Sequence, residues 1–172
     1  MPQELETKRL VLRSLRPDDY TEAFKWCGDP IANRFMLYPL YEKAEDVIIW
    51  LETLNPDDPD KYDYGFVLKE TGELIGSGGM YFDPLKDLWS IGYNIRRDMW
   101  NKGLTTEAMQ AVIAHVRSRR DVKAIEAEFA IDNPASGRVM EKLGLSYVRD
   151  TQYTKFDGSA AFKARIYRID YI

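Results

Sequence analysis

Residues 100–108 read Trp100-Asn101-Lys102-Gly103-Leu104-Thr105-Thr106-Glu107-Ala108, a tight turn with one glycine that leads directly into the start of a helix. An extended run, residues 87–95, comes before the turn. A strand–turn–helix junction of this kind directs several free backbone N–H groups, and the positive end of the helix dipole, to one point. The stretch therefore predicts an anion site that suits a phosphate. Taken alone, Gly103 is equally explained as an ordinary turn glycine before a helix.

The composition indicates one soluble globular domain over residues 1–172, with 45% hydrophobic and 30% charged residues. The net charge of −4 argues against a nucleic-acid partner held by overall charge. The N-terminus is polar and no apolar run could span a membrane, so we expect a cytoplasmic protein without a membrane partner. One cysteine, Cys27, and one histidine, His115, exclude an internal disulfide, a thiolate cluster and a His-rich zinc site, and we expect no metal.

Hydrophobic periodicity and turn chemistry predict the element order β-α-α-β-β-β-α-β-α-β-β, which is typical of a mixed α/β or α+β domain built on one sheet. The predicted strands are residues 8–15, 64–69, 74–82, 88–95, 122–130, about 146–156 and 160–170. The predicted helices are residues 17–26, 41–54 and 105–119, with a further short helix that Asn133-Pro134 opens and Gly144 closes.

Three sequence blocks, in this order and spacing, resemble the GNAT N-acetyltransferase family. The similar subgroup is the RimJ/RimL type, the ribosomal-protein N-terminal acetyltransferases, with its small-molecule relatives. The blocks are residues 6–13 (ETKRLVLR) with Pro17-Asp18-Asp19, residues 92–108 (GYNI through WNKGLTTEA) and residues 132–145 (DNPAS through EKLGL). The resemblance implies a single GNAT domain with a central mixed, mostly antiparallel sheet of about seven strands, splayed near its middle, and helices on both faces. It also implies acetyl-CoA as the co-substrate.

The resemblance places the CoA pyrophosphate on the backbone N–H groups of the Gly103 turn. Trp100 stands where the family often has Gln or Arg, and Asn101 replaces a frequent glycine. Asn tolerates a positive φ better than other non-glycine residues, so we expect the turn to keep its shape. The implied donor-binding residues are Tyr93, Ile95, Arg97, Trp100, Asn101, Lys102, Gly103, Leu104, Thr105, Thr106, Asn133 and Ser136.

Asn133 and Ser136 have two interpretations. As a helix start, Asn133 is the N-cap, Pro134 the first helical residue and Ser136 the third. In the family, the residue that matches Asn133 touches the pantetheine arm, and the one that matches Ser136 protonates or hydrogen-bonds the departing thiolate. Many relatives use a tyrosine four positions later, where this chain has Met140, so Ser136 is the candidate catalytic residue.

The acceptor is expected to be a primary amine, either a protein N-terminus or a small molecule. No general base is evident, because Ser90 stands about where some relatives have Glu; a water relayed by Asp83, Asp87 or Glu107 remains an alternative. An α-amine of pKa about 7.8 is roughly a quarter neutral at pH 7.4, whereas a lysine near 10.4 is about 0.1% neutral. That difference, on the order of 3 kcal/mol of barrier, favours a weakly basic amine.

The resemblance further implies that Trp26, Phe35 and Tyr38 line the acceptor groove, although such aromatic residues also suit an ordinary core. Acceptor contacts are expected from residues 29–41 and from the last hairpin, which could also form a homodimer. The sequence thus favours an acetyl-CoA-dependent N-acetyltransferase that acts without a covalent intermediate. The alternative is a CoA-binding sensor or interaction module of the same fold without turnover.

Overall fold

One mixed sheet of eight strands organises the protein, as a computed structural model that describes residues 3–172 shows. The spatial order is β1-β2-β3-β4-β5-β6-β8-β7, and every neighbouring pair is antiparallel except β5 and β6. The strands are β1 (Leu5–Glu6), β2 (Leu10–Arg13), β3 (Lys61–Leu68), β4 (Leu74–Asp83), β5 (Leu88–Ile95), β6 (Ala124–Ala130), β7 (Ser146–Thr154) and β8 (Ala161–Asp170). The seven predicted strands are confirmed, and the eighth is the two-residue β1.

Five helices accompany the sheet: α1 (Tyr20–Cys27), α2 (Pro30–Asn33), α3 (Ala44–Thr53), α4 (Leu104–Arg119) and α5 (Pro134–Lys142). The four predicted helices are present. α1 is preceded by a 3-10 turn at Pro17–Asp19, and α3 begins three residues later than predicted because Lys43 is extended. α2 was not predicted; the Asp29 carboxylate caps it by accepting from the Ile31 N–H at 3.0 Å.

The helices pack on both faces of the sheet because successive residues of a strand point to opposite sides. On β3, Tyr64 and Phe66 enter a core cluster with α4, whereas Val67 packs against the cluster formed by α1 and α3. Fully buried residues of the first cluster include Met80 and Met109, and those of the second include Trp26 and Val47. The predicted α+β class with helices on both faces is thus confirmed.

The sheet is parted between β5 and β6. These strands pair in register only at Trp89 with Ile125 and at Ser90 with Glu126, although β5 has 8 residues and β6 has 7. Beyond those pairs, residues 91–95 and 127–130 diverge. The expected splay near the middle of the sheet is therefore present, and it creates a cleft with one strand on each side.

The glycines of β4 bring neighbouring strands close together. A Cβ on Gly76 would lie 2.7 Å from the Asn94 carbonyl oxygen, and one on Gly78 would lie 2.8 Å from the Gly92 carbonyl oxygen. Close backbone approach explains these glycines, which lie within a strand.

At the far edge of the sheet, β7 is exposed along most of its length, and a homodimer through this hairpin stays a prediction. Across residues 3–172, no helix is long and apolar enough to cross a membrane.

Candidate active site

The opening between β5 and β6 continues into a cleft of about 1450 Å³ that reaches the start of α4 and the start of α5. The cleft brings together all the predicted donor-binding residues except Arg97: Tyr93, Ile95, Trp100, Asn101, Lys102, Gly103, Leu104, Thr105, Thr106, Asn133 and Ser136. Arg97 lies in a short 3-10 turn and faces away from the cleft, where its Nε is 3.2 Å from the Asp29 carboxylate. The expectation for Arg97 is therefore corrected.

The turn before α4 has the backbone that the sequence predicted. Asn101 has φ +61° and Gly103, the N-cap of α4, has φ +74°. The N-cap is a glycine and has no side chain to cap the helix, and within residues 3–172 no hydrogen bond uses the N–H groups of residues 104–106. An uncapped helix start that faces a cleft is well suited to bind a phosphate.

A network that the sequence did not predict anchors this turn to the N-terminal strands. The Glu107 carboxylate accepts hydrogen bonds from the Thr7 hydroxyl at 3.0 Å and from the Arg9 N–H and Nε, both at 3.2 Å. Arg9 also donates from Nη1 to the Lys102 carbonyl oxygen at 2.9 Å. Glu107, expected as a dipole-stabilising first-turn residue or a water relay, is thus also the link that holds the turn against residues 7–9.

Two hydroxyl groups meet at the cleft, that of Ser136 at the start of α5 and that of Tyr93 on β5. The Tyr93 hydroxyl donates to the Ser136 carbonyl oxygen at 2.9 Å and lies 3.0 Å from Ser136 Oγ. Burial raises the pKa of Tyr93 to about 12, so the phenol stays protonated at neutral pH. Asn133 is the N-cap by position, but its side chain makes no capping hydrogen bond, and it lines the cleft. Capping therefore does not account for the side chain of Asn133.

Of the three aromatic residues expected at the acceptor groove, Phe35 and Tyr38 line the cleft and Trp26 does not. Trp26 is wholly buried between α1 and its neighbours in the second core cluster, which corrects the expectation that it contacts the acceptor. The Tyr38 hydroxyl accepts from Asn94 Nδ2 at 2.8 Å, and burial raises the pKa of Tyr38 well above its ordinary value. Tyr38 is thereby tied to β5 as an uncharged side chain.

The last hairpin holds residues 33–38, a loop expected to contact the acceptor (the acceptor loop), through a buried lysine that the sequence did not single out. Lys155 is 9% exposed, and its Nζ donates to the carbonyl oxygens of Asn33, Met36 and Tyr38 at 3.1, 2.7 and 3.3 Å and to Asn33 Oδ1 at 3.2 Å. The Tyr153 hydroxyl adds a 2.6 Å hydrogen bond to the Phe35 carbonyl oxygen. The hairpin and residues 33–38 are thus bonded to each other, and both contribute residues to the cleft lining; their contacts with the acceptor stay a prediction.

None of the three carboxylates named as relays is a free base in the cleft. Asp87 is paired with Lys123 at 3.0 Å, Glu107 is bonded to Arg9, and neither lines the cleft. Asp83 lines the cleft, but it accepts from the Leu85 N–H at 3.0 Å and lies 3.9 Å from Lys86 Nζ. Within residues 3–172, no group of three or more His, Cys, Asp or Glu side chains is placed to hold a metal ion.

Residues 9–146 match the family described as Acetyltransferase (GNAT) domain. The chain belongs to the GNAT acetyltransferase family. Among its relatives, the uncharacterized N-acetyltransferase p20 of Bacillus licheniformis is 28% identical over 145 residues, which cover 82% of this chain and 81% of the relative. The chain is accordingly an acyl-CoA-dependent N-acetyltransferase.

Solved GNAT structures share the fold. An acetyltransferase from Bacillus anthracis matches with a TM-score of 0.84 at 18% identity, over 98% of each chain. RimL, the ribosomal L7/L12 α-N-protein acetyltransferase solved in complex with coenzyme A, matches with a TM-score of 0.81 at 16% identity, again over 98% of each chain. Sequence identities this low show a shared fold, and they do not identify the acceptor of this GNAT enzyme.

Proposed function

We propose that the protein transfers an acetyl group from acetyl-CoA to a primary amine by direct attack in a ternary complex. The observation that carries the proposal is the continuity of one cleft from the uncapped start of α4, through the β5–β6 opening, to the Ser136 and Tyr93 hydroxyl groups. That cleft matches a thioester donor, which needs an anion site at one end and a reaction centre at the other. The RimL structure, whose bound ligand is coenzyme A, supports the choice of donor.

The donor would lie along the residues that the cleft brings together. The amides of residues 101–106 would hold the pyrophosphate, with the helix dipole adding to the attraction. The unbonded side-chain amide of Asn133 would bond the pantetheine arm. The acetyl group would then lie in the opening beside Tyr93.

Backbone geometry offers a stabilising N–H group for the tetrahedral oxyanion. The Arg96 N–H donates to the Ile75 carbonyl oxygen across to β4 at 2.8 Å. Because N–H directions alternate along a strand, the Tyr93 N–H points to the opposite side, into the opening. The Ile95 N–H shares that side but is taken by Asn94 Oδ1 at 3.0 Å. We therefore assign the Tyr93 amide as the oxyanion donor.

The departing thiolate would take a proton from Ser136, the proposed catalytic residue, and Ser136 would regain a proton from the nitrogen of the attacking amine. Since the Tyr93 hydroxyl gives its one proton to the Ser136 carbonyl oxygen, Ser136 Oγ is free to donate, either to the Tyr93 oxygen or to the thiolate. Buried Met140 occupies the position where many relatives carry tyrosine. Cys27 does not provide a covalent route, because burial raises the pKa of its thiol to about 12 and a thiolate is the reactive form.

The acceptor we propose is a weakly basic or otherwise neutral primary amine, on a protein N-terminus as in the RimJ/RimL type or on a small molecule. Phe35, Tyr38 and the loop held by Lys155 would form its groove. The second candidate, a sensor that binds CoA without turnover, is kept by the lack of a free base among Asp83, Asp87 and Glu107.

The test is thiol release from acetyl-CoA across a panel of peptides, polyamines and aminoglycosides, with CoA affinity measured in parallel by calorimetry. Turnover on at least one amine supports the transferase, and CoA binding with no turnover on any amine supports the sensor. Ser136→Ala should lower kcat more than it lowers CoA affinity. Unchanged turnover in that variant would return Ser136 to a helix-start role.

The donor site has a matched pair of variants. Gly103 and Gly72 both have φ +74°, so a tryptophan at either position costs a similar backbone strain of about 1–2 kcal/mol. Gly103→Trp should abolish CoA binding because the ring enters the pyrophosphate site. Gly72→Trp, which has open space around its Cβ and lies outside the cleft, should bind CoA normally. Equal CoA affinity in the two variants would contradict the pyrophosphate assignment.

A further inference from the structure

A hydrogen-bonded pair, Asp63 on β3 and Tyr81 on β4, lines the acceptor part of the cleft. The Tyr81 hydroxyl donates to Asp63 Oδ1 at 2.6 Å. Burial raises the pKa of Asp63, against the opposing effect of the Tyr81 hydrogen bond. Lys61 lowers the pKa of this carboxyl and Asp58 raises it, and no ion pair to Asp63 forms within residues 3–172. A partly buried carboxylate without a cation is costly unless something else supplies the positive charge.

A flat row across the sheet connects this carboxyl with the reaction centre. Asp63 pairs with Gly79 of β4, and Gly79 pairs with Gly92 of β5, so these residues face the same side. The Tyr81 ring leans over the row: its hydroxyl lies 3.0 Å from where a Gly79 Cβ would be, and its Cε2 lies 3.7 Å from the corresponding point of Gly92. A Cβ at Gly79 would clash first with the Tyr62 carbonyl oxygen, and a Cβ at Gly92 would be in ordinary contact with the ring, so the ring lies over both glycines between Asp63 and the backbone next to Tyr93.

We propose that Asp63, held by Tyr81, binds a second ammonium group of the acceptor, so that the acceptor is an aliphatic diamine or polyamine. This inference rests on the proposed acetyl transfer. The reacting amine would lie beside Gly92, its carbon chain over the Tyr81 ring, and the distal ammonium group at the Asp63 carboxylate. The row spans two strand spacings, roughly 10 Å, which sets the distance between the two nitrogen atoms to that order.

The surroundings favour a cation at this place. Glu128, on the opposite strand of the cleft, has no ion pair within residues 3–172, and burial raises its pKa. Among the cations that line the cleft, Lys61 lies two residues from Asp63 on the same face of β3 but forms no ion pair with it, Lys86 lies near Asp83, and Arg34 stacks over the Phe35 ring at 4.8 Å. The Tyr81 ring adds a favourable surface for an ammonium-bearing chain. A carboxylate at a fixed distance from the reaction centre suits a dication, because a second ammonium group can pair with it.

The first measurement compares kcat/KM for straight-chain diamines of increasing length, from diaminopropane through putrescine, cadaverine and hexamethylenediamine to diaminooctane. Hexylamine, which lacks the second amine, and a serine-initiated peptide are the comparison substrates. We expect an optimum at an intermediate or long diamine, with kcat/KM at least about tenfold above that of hexylamine, as for one charge-assisted contact. Equal or better turnover of hexylamine or of the peptide overturns the second-ammonium site while leaving acetyl transfer intact.

The second measurement uses Asp63→Asn, which keeps an oxygen that accepts from Tyr81 but removes the charge. We expect KM for the best diamine to rise about tenfold or more, with the parameters for hexylamine and the affinity for CoA unchanged. Asp121→Asn, which removes one exposed negative charge outside the cleft, is the control and should behave as the parent protein. A parallel loss with hexylamine, or no loss with the diamine, contradicts the assignment.

Binding gives a readout that does not need turnover. Calorimetric titration of cadaverine into the CoA complex should show binding in the parent protein and at least about tenfold weaker binding in Asp63→Asn. Equal affinity in both overturns the Asp63 site whatever the turnover. Absence of turnover with this difference retained would overturn the proposed acetyl transfer alone, so the two proposals fail separately. Thermal midpoints of both variants establish that each is folded.

Discussion

Replacing Lys155 with methionine should loosen the acceptor loop while leaving the donor site intact. Methionine has a similar length but no donor, so the carbonyl oxygens of Asn33, Met36 and Tyr38 would lose the ammonium group that now bonds all of them. These oxygens belong to residues 33–38, whereas the donor turn lies at residues 100–106. The effect should therefore be local.

The size of the effect follows from the contacts. Each buried oxygen left without a partner costs about 1–3 kcal/mol, but the two longest contacts, at 3.2 and 3.3 Å, contribute least. Removal of a 9% exposed ammonium, whose pKa burial lowers, recovers part of the loss. We expect a net cost of about 2–2.7 kcal/mol to the closed state of the loop, or roughly 30- to 100-fold in its opening equilibrium.

Limited trypsin digestion measures that equilibrium, since Arg34 lies in the loop and is exposed. Cleavage after Arg34 should accelerate by the same 30- to 100-fold in Lys155→Met, while calorimetric CoA affinity stays within about twofold. Lys163→Met, at an exposed position of β8, is the matched control and should be cleaved at the parent rate. Parent-rate cleavage in Lys155→Met would refute the view that Lys155 holds the acceptor loop. A loss of CoA affinity of roughly 30- to 100-fold in this variant would refute the view that its effect is confined to that loop.

Three further outcomes are expected. Because Asn101 has φ +61°, Asn101→Gly should keep CoA affinity within about twofold and Asn101→Val, strained by about 1–2 kcal/mol in this conformation, should weaken it several-fold by calorimetry. Glu107→Ala should lower the free energy of unfolding in urea by about 1 kcal/mol, and it should weaken CoA binding because Arg9 no longer positions the Lys102 carbonyl. Glu22→Ala, which removes an exposed ion pair with Lys25, is the control and should change neither quantity. Burial raises the pKa of Tyr93 and of Tyr153 to about 12, above the ordinary 10.0. The stability that the two protonated phenols give the fold is therefore complete below pH 10 and is lost as the pH rises towards 12. A thermal midpoint that stays constant from pH 10 to 12 would contradict this expectation.

Elements with a strong local pattern were predictable from the sequence. The hairpin strands β4 and β5 match their predicted bounds to within one residue, because alternation and turn residues mark both ends. β1 has only two residues and is a strand because it pairs with Val11 and Leu12. Two residues are too few for a hydrophobic periodicity to predict it. α2 has four residues and is too short to show an amphipathic repeat.

The donor site was more predictable than the acceptor site for a physical reason. The conformation of Asn101 and Gly103 depends on local backbone chemistry, which the residue types reveal. Lys155 acquires its role by meeting Asn33, 122 positions away, and Trp26 is buried by helices that pack around it. Such environments arise only from the tertiary arrangement, and a single sequence carries no signal for them.

The parted sheet also has a consequence for colloidal behaviour. Between residues 91–95 and 127–130, two strand edges face each other without the ladder that elsewhere covers backbone N–H and C=O groups. Unpaired edges are templates on which other extended chains can add, and most sheets keep them at the rim, shortened or charged. Here they lie inside the sheet, recessed in a cleft, where a second folded domain cannot reach but an unfolded segment can. A ligand that occupies the opening would therefore cover these edges and protect the enzyme from aggregation through them.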